Sequence, residues 1–198
     1  MKQKKNKLLI LIAKSVSRIF GFGTFILLAL VAVFSGQFNA TDYGWIFLSA
    51  MMFILSGGVL FLFTKLRIFS DFDLSDRSER PLFFFILIIL GIVLFFLYVI
   101  FDVSMILRYF ILIYLVEIIL DFMITLFWKI SNHTLAVTSF ISFSIILLGF
   151  GYLYLLLLLP LVMWARFFLQ KHTVGQLLGG AILAVIVIFP LSRIFGFI

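Results

Sequence analysis

The sequence predicts an all-α fold, a polytopic transmembrane helical bundle of about six to seven spans. Three observations predict it. Of 198 residues, 65% are hydrophobic and only 12% are charged, more apolar side chain than one soluble core can enclose. The apolar residues come in runs of about 20, the length that crosses a hydrocarbon layer of about 30 Å. The runs are continuous rather than alternating, which argues against a membrane β-barrel.

Taken in order, the chain opens with "MKQKKNK", four lysines in seven residues, read as a cytoplasmic tail beside anionic lipid. Residues 8–19, "LLILIAKSVSRI", are amphipathic and form a lead-in at the interface. Lys14 and Arg18 interrupt this stretch, and it lacks a small-residue cleavage site, so no removable signal peptide is expected. Residues 1–19 are therefore taken as tail and lead-in, and 20–198 as a single membrane-embedded domain. Spans are expected at 20–36, 45–64, 82–101 and 105–127, then as two short spans at 134–150 and 152–168 with "GFGY" at the turn, and last at 173–190. The longest polar segment, "KLRIFSDFDLSDRSERP", covers 65–81. Pro81 suits the first turn of the helix that follows.

The charge balance is +7 and there is no cysteine. Absence of cysteine excludes disulfides and thiolate chemistry. The positive balance follows from the lysine-rich start, so no nucleic-acid partner is inferred; the expected partners are the bilayer and a lipid substrate. The location is an integral, multi-pass position in a membrane, taken as a bacterial plasma membrane.

Polar residues concentrate at three places. Two spans separate Arg80 from His133 and two more separate His133 from His172, so all three segments emerge on one membrane face. Those are the only two histidines. Ionisable groups at a membrane edge are costly, and function is their default explanation. In "WARFFLQKHTVGQ", His172 and Gln176 are four apart; on one helix face Gln176 would accept from one ring nitrogen and leave the other as a nucleophile. In "WKISNHT", Ser131 and His133 stand at a helix start, whose free N–H groups suit a phosphate. Lys129 lies just ahead, and His133 could protonate a leaving oxygen. In "DRSERP", Arg77 and Arg80 offer the planar fork that binds phosphate oxygens in pairs. Such a set suits phosphoryl transfer, where catalysis is mostly positioning and charge neutralisation.

These residues resemble the three motifs of the type-2 phosphatidic acid phosphatase superfamily, KxxxxxxRP, PSGH and SRxxxxxHxxxD. "ARFFLQKHTVGQ" is similar to the third at Arg166 and His172, with Ala165 for serine and Gln176 for aspartate. "ISNH" is similar to the second at Ser131 and His133. "DLSDRSERP" is similar to the first at Arg80 and Pro81, with Asp73 where lysine belongs. The resemblance covers residues 65–190. It implies a lipid phosphatase that needs neither metal nor cofactor. His172 would form a phosphohistidine, His133 would act as acid and then base, and Arg80 and Arg166 would hold phosphate oxygens. Arg77 or Lys129 would supply the charge of the absent lysine, with Ser131 beside them and Gln176 orienting His172. Without the motif's aspartate the enzyme should be slower, or Asp73 or Asp76 should serve instead.

Two other functions fit parts of the sequence. Asp71, Asp73 and Asp76 could hold magnesium and a diphosphate, as in a prenyl or lipid transferase, although no second aspartate-rich motif accompanies them. A degenerate, lipid-binding family member would keep the fold without turnover. Simpler roles also exist: interfacial histidines, a basic loop at headgroups, Lys129 as an anchor, and Glu117 with Asp121 as a buried polar pair.

Overall fold

The computed structural model describes residues 2–21, 31, 36 and 40–198, and the side chains of 2–6 are not described. The expected span at 20–36 and the loop at 37–39 lie largely outside the described residues, as do the side chains of the first lysines. Among the described residues the regular structure is entirely helical. The α-helices are α1 (Lys2–Ile19), α2 (Asp42–Lys65), α3 (Arg80–Ile100), α4 (Met105–Thr125), α5 (Asn132–Leu148), α6 (Leu158–Phe168) and α7 (Val174–Ile194). Two 3-10 segments, Arg77–Glu79 and Phe150–Leu157, lead directly into α3 and α6.

Four helical stretches among the described residues are long and apolar enough to cross a bilayer: Asp42–Lys65, Arg77–Ile100, Phe150–Phe168 and Val174–Ile194. Large apolar side chains such as Phe47, Phe96, Phe127, Leu157 and Ile186 stand exposed. A soluble monomer does not tolerate so many, whereas a bilayer solvates them, and the chain is a membrane protein by this measure. α5, with 17 residues, is about 26 Å long at 1.5 Å per residue. α4 carries Arg108, Glu117 and Asp121. Those features keep both helices out of the four.

The chain divides into two compact units. The first joins residues 1–34 to 130–190 and 197–198. Its core is Phe20, Val31, Val137, Phe140, Ile141 and Val162. Within it α1 packs on α6, and α5 packs on α6 and on the 3-10 segment before it. α1 was expected only as a lead-in at the interface. Ala13 and Ser17 of α1, and Phe20 just after it, are buried, at the 4-then-3 spacing of one helix face. Two of the three serines inside α5 are accommodated locally: Ser139 and Ser144 donate to the carbonyls of Leu135 and Phe140 at 3.0 and 2.8 Å, so their hydroxyls do not face lipid unsatisfied.

The second unit joins residues 35–129 to 191–196. α3 and α4 form its main hairpin, where Gly91 lets Leu115 approach. Leu60, Phe69, Leu74, Phe83, Phe84 and Ile118 make its core. Tyr109 bonds Ser192 at 2.5 Å. Pro81 stands at the start of α3 as expected, where its missing N–H costs nothing.

Candidate functional site

In the first unit, two helix starts are stitched together. Ser131 caps α5, its Oγ accepting from the N–H of Thr134 at 3.4 Å. The N–H of Ser131 donates to the carbonyl of Gln176 at 3.0 Å. Thr134 Oγ1 donates to the carbonyl of Leu177 at 2.8 Å. Gly180 lies against the Ser131 carbonyl and Thr134 Oγ1, an approach that only a residue without Cβ permits. His133 is thus in the first turn of α5, beside the first turns of α7.

His172 sits just before α7, which begins at Val174. The turn that delivers it comes from the end of α6. Gln170 takes the left-handed conformation (φ 56°), its N–H bonds the Phe167 carbonyl at 2.9 Å and the Lys171 N–H bonds the Arg166 carbonyl at 3.1 Å. That pattern of paired bonds around a left-handed residue ends a helix sharply. Arg166 therefore lies in the last turn of α6, and His172 follows directly after the turn. Both are buried, Arg166 at 1% exposure and His172 at 6%.

One expectation is corrected here. Gln176 does not share a helix face with His172, because His172 precedes the helix. The amide oxygen of Gln176 accepts from the Thr173 N–H at 3.0 Å, and the Gln176 N–H donates to Thr173 Oγ1 at 3.4 Å. This is a reciprocal capping box, and it was legible as T-x-x-Q at 173–176. Ser131, expected among the phosphate ligands, is fully buried, and its hydroxyl oxygen accepts from a first-turn N–H of α5.

The residue missing from the sequence reading is Ser17, on α1. Arg166 Nη1 donates to Ser17 Oγ at 2.6 Å. Ser17 Oγ also meets His133 Nε2, at 3.3 Å. Gly21 lies one turn on, and a Cβ there would stand 2.9 Å from the same ring nitrogen. One hydroxyl thus joins Arg166 to His133, residues from α6 and α5, through α1. The sequence carried no signal that singled it out, because the burial of Ala13, Ser17 and Phe20 on one face follows from packing.

The remaining candidates lie in the second unit and are described separately. Arg80 is buried at 3% exposure; its Nε donates to the Leu74 carbonyl at 3.0 Å, and it lies within electrostatic reach of Asp121. Arg77 Nη1 donates to the Leu126 carbonyl at 3.1 Å, and Lys129 Nζ to the Ser75 carbonyl at 2.7 Å. These cations close the polar segment onto the α3–α4 hairpin. Three acidic residues of that segment hold turns. Asp71 accepts from the Ser75 N–H at 3.0 Å. Asp76 caps the 3-10 turn by accepting from the N–H and hydroxyl of Ser78. The Ser78 N–H is the chief reason that the Asp76 carboxyl is held below its usual range. Glu79 accepts from Ser70. Among the described residues no group of three or more histidine or acidic side chains could hold a metal ion, and the magnesium cluster imagined at Asp71, Asp73 and Asp76 does not assemble.

No family model matches the chain, and no curated protein or solved structure matches it.

Proposed function

We propose that the protein is an integral membrane phosphatase acting on a lipid phosphate, a phosphatidate-like monoester or a polyprenyl diphosphate. One observation carries the reading: Arg166 and His133, 33 positions apart, meet at a single buried hydroxyl, at 2.6 and 3.3 Å. A fixed guanidinium next to an imidazole supplies charge neutralisation and a proton donor together, the two things phosphoryl transfer needs most. His172, six residues after Arg166, is the nucleophile in this reading. The ring nitrogen of His172 attacks phosphorus and the bond to the leaving oxygen breaks, that oxygen taking a proton from His133. Water then attacks the phosphohistidine, gives a proton to His133, and leaves as inorganic phosphate while the P–N bond breaks. The adjoining helix starts of α5 and α7 add two positive dipole ends that favour an anion. Gln176 has no orienting part in this scheme, and Ser131 acts through the cap that sets the first turn of α5.

The reading places the protein in a bacterial plasma membrane with about six to seven crossings, counting α4, α5 and the chain at 20–36 beside the four long apolar helices. The test is phosphate release from dioctanoyl phosphatidate and farnesyl diphosphate by purified protein in detergent with EDTA. Release by the wild type, lost in His172→Ala and His133→Ala and reduced in Arg166→Lys, is the expected result. Release that survives His172→Ala removes the nucleophile. Folded protein that binds these lipids without turnover points to the lipid-binding alternative.

A further inference from the structure

We infer that Ser17 is a positioning residue that fixes the tautomer of His133, leaving Nε2 bare and placing the ring proton on Nδ1. The inference uses the phosphatase reading only for its kinetic consequence. The hydroxyl of Ser17 has one hydrogen and two lone pairs. Among the described residues it has two partners, Arg166 Nη1 at 2.6 Å and His133 Nε2 at 3.3 Å. A guanidinium can only donate, so Arg166 takes a lone pair. The serine hydrogen then has one acceptor, His133 Nε2. Were Nε2 itself protonated, two donors would face the oxygen and the hydroxyl hydrogen would point at nothing. Ser17 is only 7% exposed, so no bulk water is there to receive it, and an unsatisfied buried donor is costly.

Arg166 therefore orients the serine, and the serine orients the imidazole. The Nε2 side is also closed by Gly21, where any Cβ would come within 2.9 Å of that nitrogen. A neutral ring held this way carries its proton on Nδ1, the nitrogen turned away from Ser17. In the proposed reaction the resting neutral ring offers Nδ1–H only as a hydrogen-bond donor. The acid is the imidazolium, formed when Nε2 gains a proton. It gives its Nδ1 proton to the leaving oxygen and keeps the one on Nε2, so that the bared Nδ1 accepts the proton of the attacking water. The same hydroxyl keeps Arg166 and His133 in fixed relation, so charge and proton arrive at one place.

With only two histidines, the assignment can be read directly. Full-length protein labelled with nitrogen-15 histidine, carrying His172→Ala, has one imidazole left. Its nitrogen shifts should show Nδ1 protonated and Nε2 bare near neutral pH. Adding Ser17→Ala should shift the tautomer balance toward Nε2–H by about tenfold, the ratio one net hydrogen bond commands. Ser17→Thr should restore the original state. Ser17→Cys, close in volume and a weak donor, should move it the same way as alanine and serves if the alanine variant does not fold. With His172 intact, Ser17→Ala should slow phosphate release from dioctanoyl phosphatidate about tenfold, and Ser17→Thr should recover it. A protonated Nε2 in the parent, or a tautomer unchanged by both Ser17→Ala and Ser17→Cys, overturns the inference whatever the activity. The expected tautomer shift in a protein that releases no phosphate leaves the inference standing and removes the phosphatase.

Discussion

Gly180→Ala is the sharpest test of how the candidate site is held together. An added Cβ would overlap the Ser131 carbonyl oxygen, stand 2.6 Å from Thr134 Oγ1 and come within 3.1 Å of the Leu135 N–H nitrogen. Two of these three atoms are backbone in the first turn of α5, and the third is a buried hydroxyl already bonded to the Leu177 carbonyl. None can swing aside as a flexible side chain would. α7 must therefore back away from α5, at a cost of about 1–3 kcal/mol for overpacking. The move stretches two interhelical hydrogen bonds, Ser131 N–H to Gln176 and Thr134 Oγ1 to Leu177, worth about 1 kcal/mol each. Alanine returns about 1 kcal/mol through its better helix propensity. The net expectation is a loss of about 2–4 kcal/mol, read as a lowered midpoint of unfolding in detergent followed by tryptophan fluorescence. Gly58→Ala is the internal control. Gly58 lies within α2 and a Cβ there meets nothing within 4 Å, so that variant should match or exceed the wild type. A Gly180→Ala protein as stable as the wild type would refute the stitched helix starts, and with them the placement of His133.

Gln176→Ala should remove one half of the Thr173 capping box and cost about 1 kcal/mol of stability, while the pH dependence of any phosphate release keeps its shape; a changed shape would mean Gln176 does act on His172. For Asp76, the sign follows from its carboxyl lying below the unfolded value of 3.8, chiefly through the Ser78 N–H. Its contribution is complete above that value and is lost as pH falls through the folded one. The 3-10 turn Arg77–Glu79 should therefore loosen below about pH 4, seen as faster amide exchange at Ser78. Asp76→Asn should abolish the acid dependence.

The helix pattern was legible because long apolar runs need no knowledge of neighbours. The expected 45–64, 82–101 and 105–127 match α2, α3 and α4 to within a few residues. The last run, expected at 173–190, is α7 at Val174–Ile194, with Pro190 inside it where the reading had stopped. The expected span at 152–168 corresponds to the apolar stretch Phe150–Phe168, built as a 3-10 run, Phe150–Leu157, that continues into α6 at Leu158–Phe168. Continuous leucines carry no period from which to tell the two helices apart. Arg166 and His133 stood out in the sequence as candidates, but the hydroxyl that joins them did not. Ser15 and Ser17 look alike in "AKSVSRI", yet one is exposed and the other buried. Only the packing of α1 on α6 decides between them. For Gln176 the error was one of competition. A glutamine four residues after a histidine can orient it on a helix, but a glutamine three residues after a threonine starts the helix, and the cap prevailed.

The four candidate cations are not equivalent. Arg77 and Lys129 reach main-chain carbonyls, Leu126 and Ser75, and Arg80 directs its Nε to Leu74. A donor aimed at a carbonyl fixes the path of a loop, and that role asks only for a positive group of the right length. Arg166 is used differently. Its Nη1 donates to a side-chain hydroxyl that touches an imidazole, so its charge is felt by a ring able to gain and lose a proton. Lysine in its place would keep the charge but lose the planar fork, and the direction imposed on the Ser17 hydroxyl would go with it. The weight of the phosphatase reading therefore rests on 131–176 rather than on the polar segment before α3. Asp73, standing where the resembling family has lysine, then costs the proposal little. If Arg166→Lys lowered phosphate release no more than Arg77→Lys, the distinction drawn between these cations would be wrong.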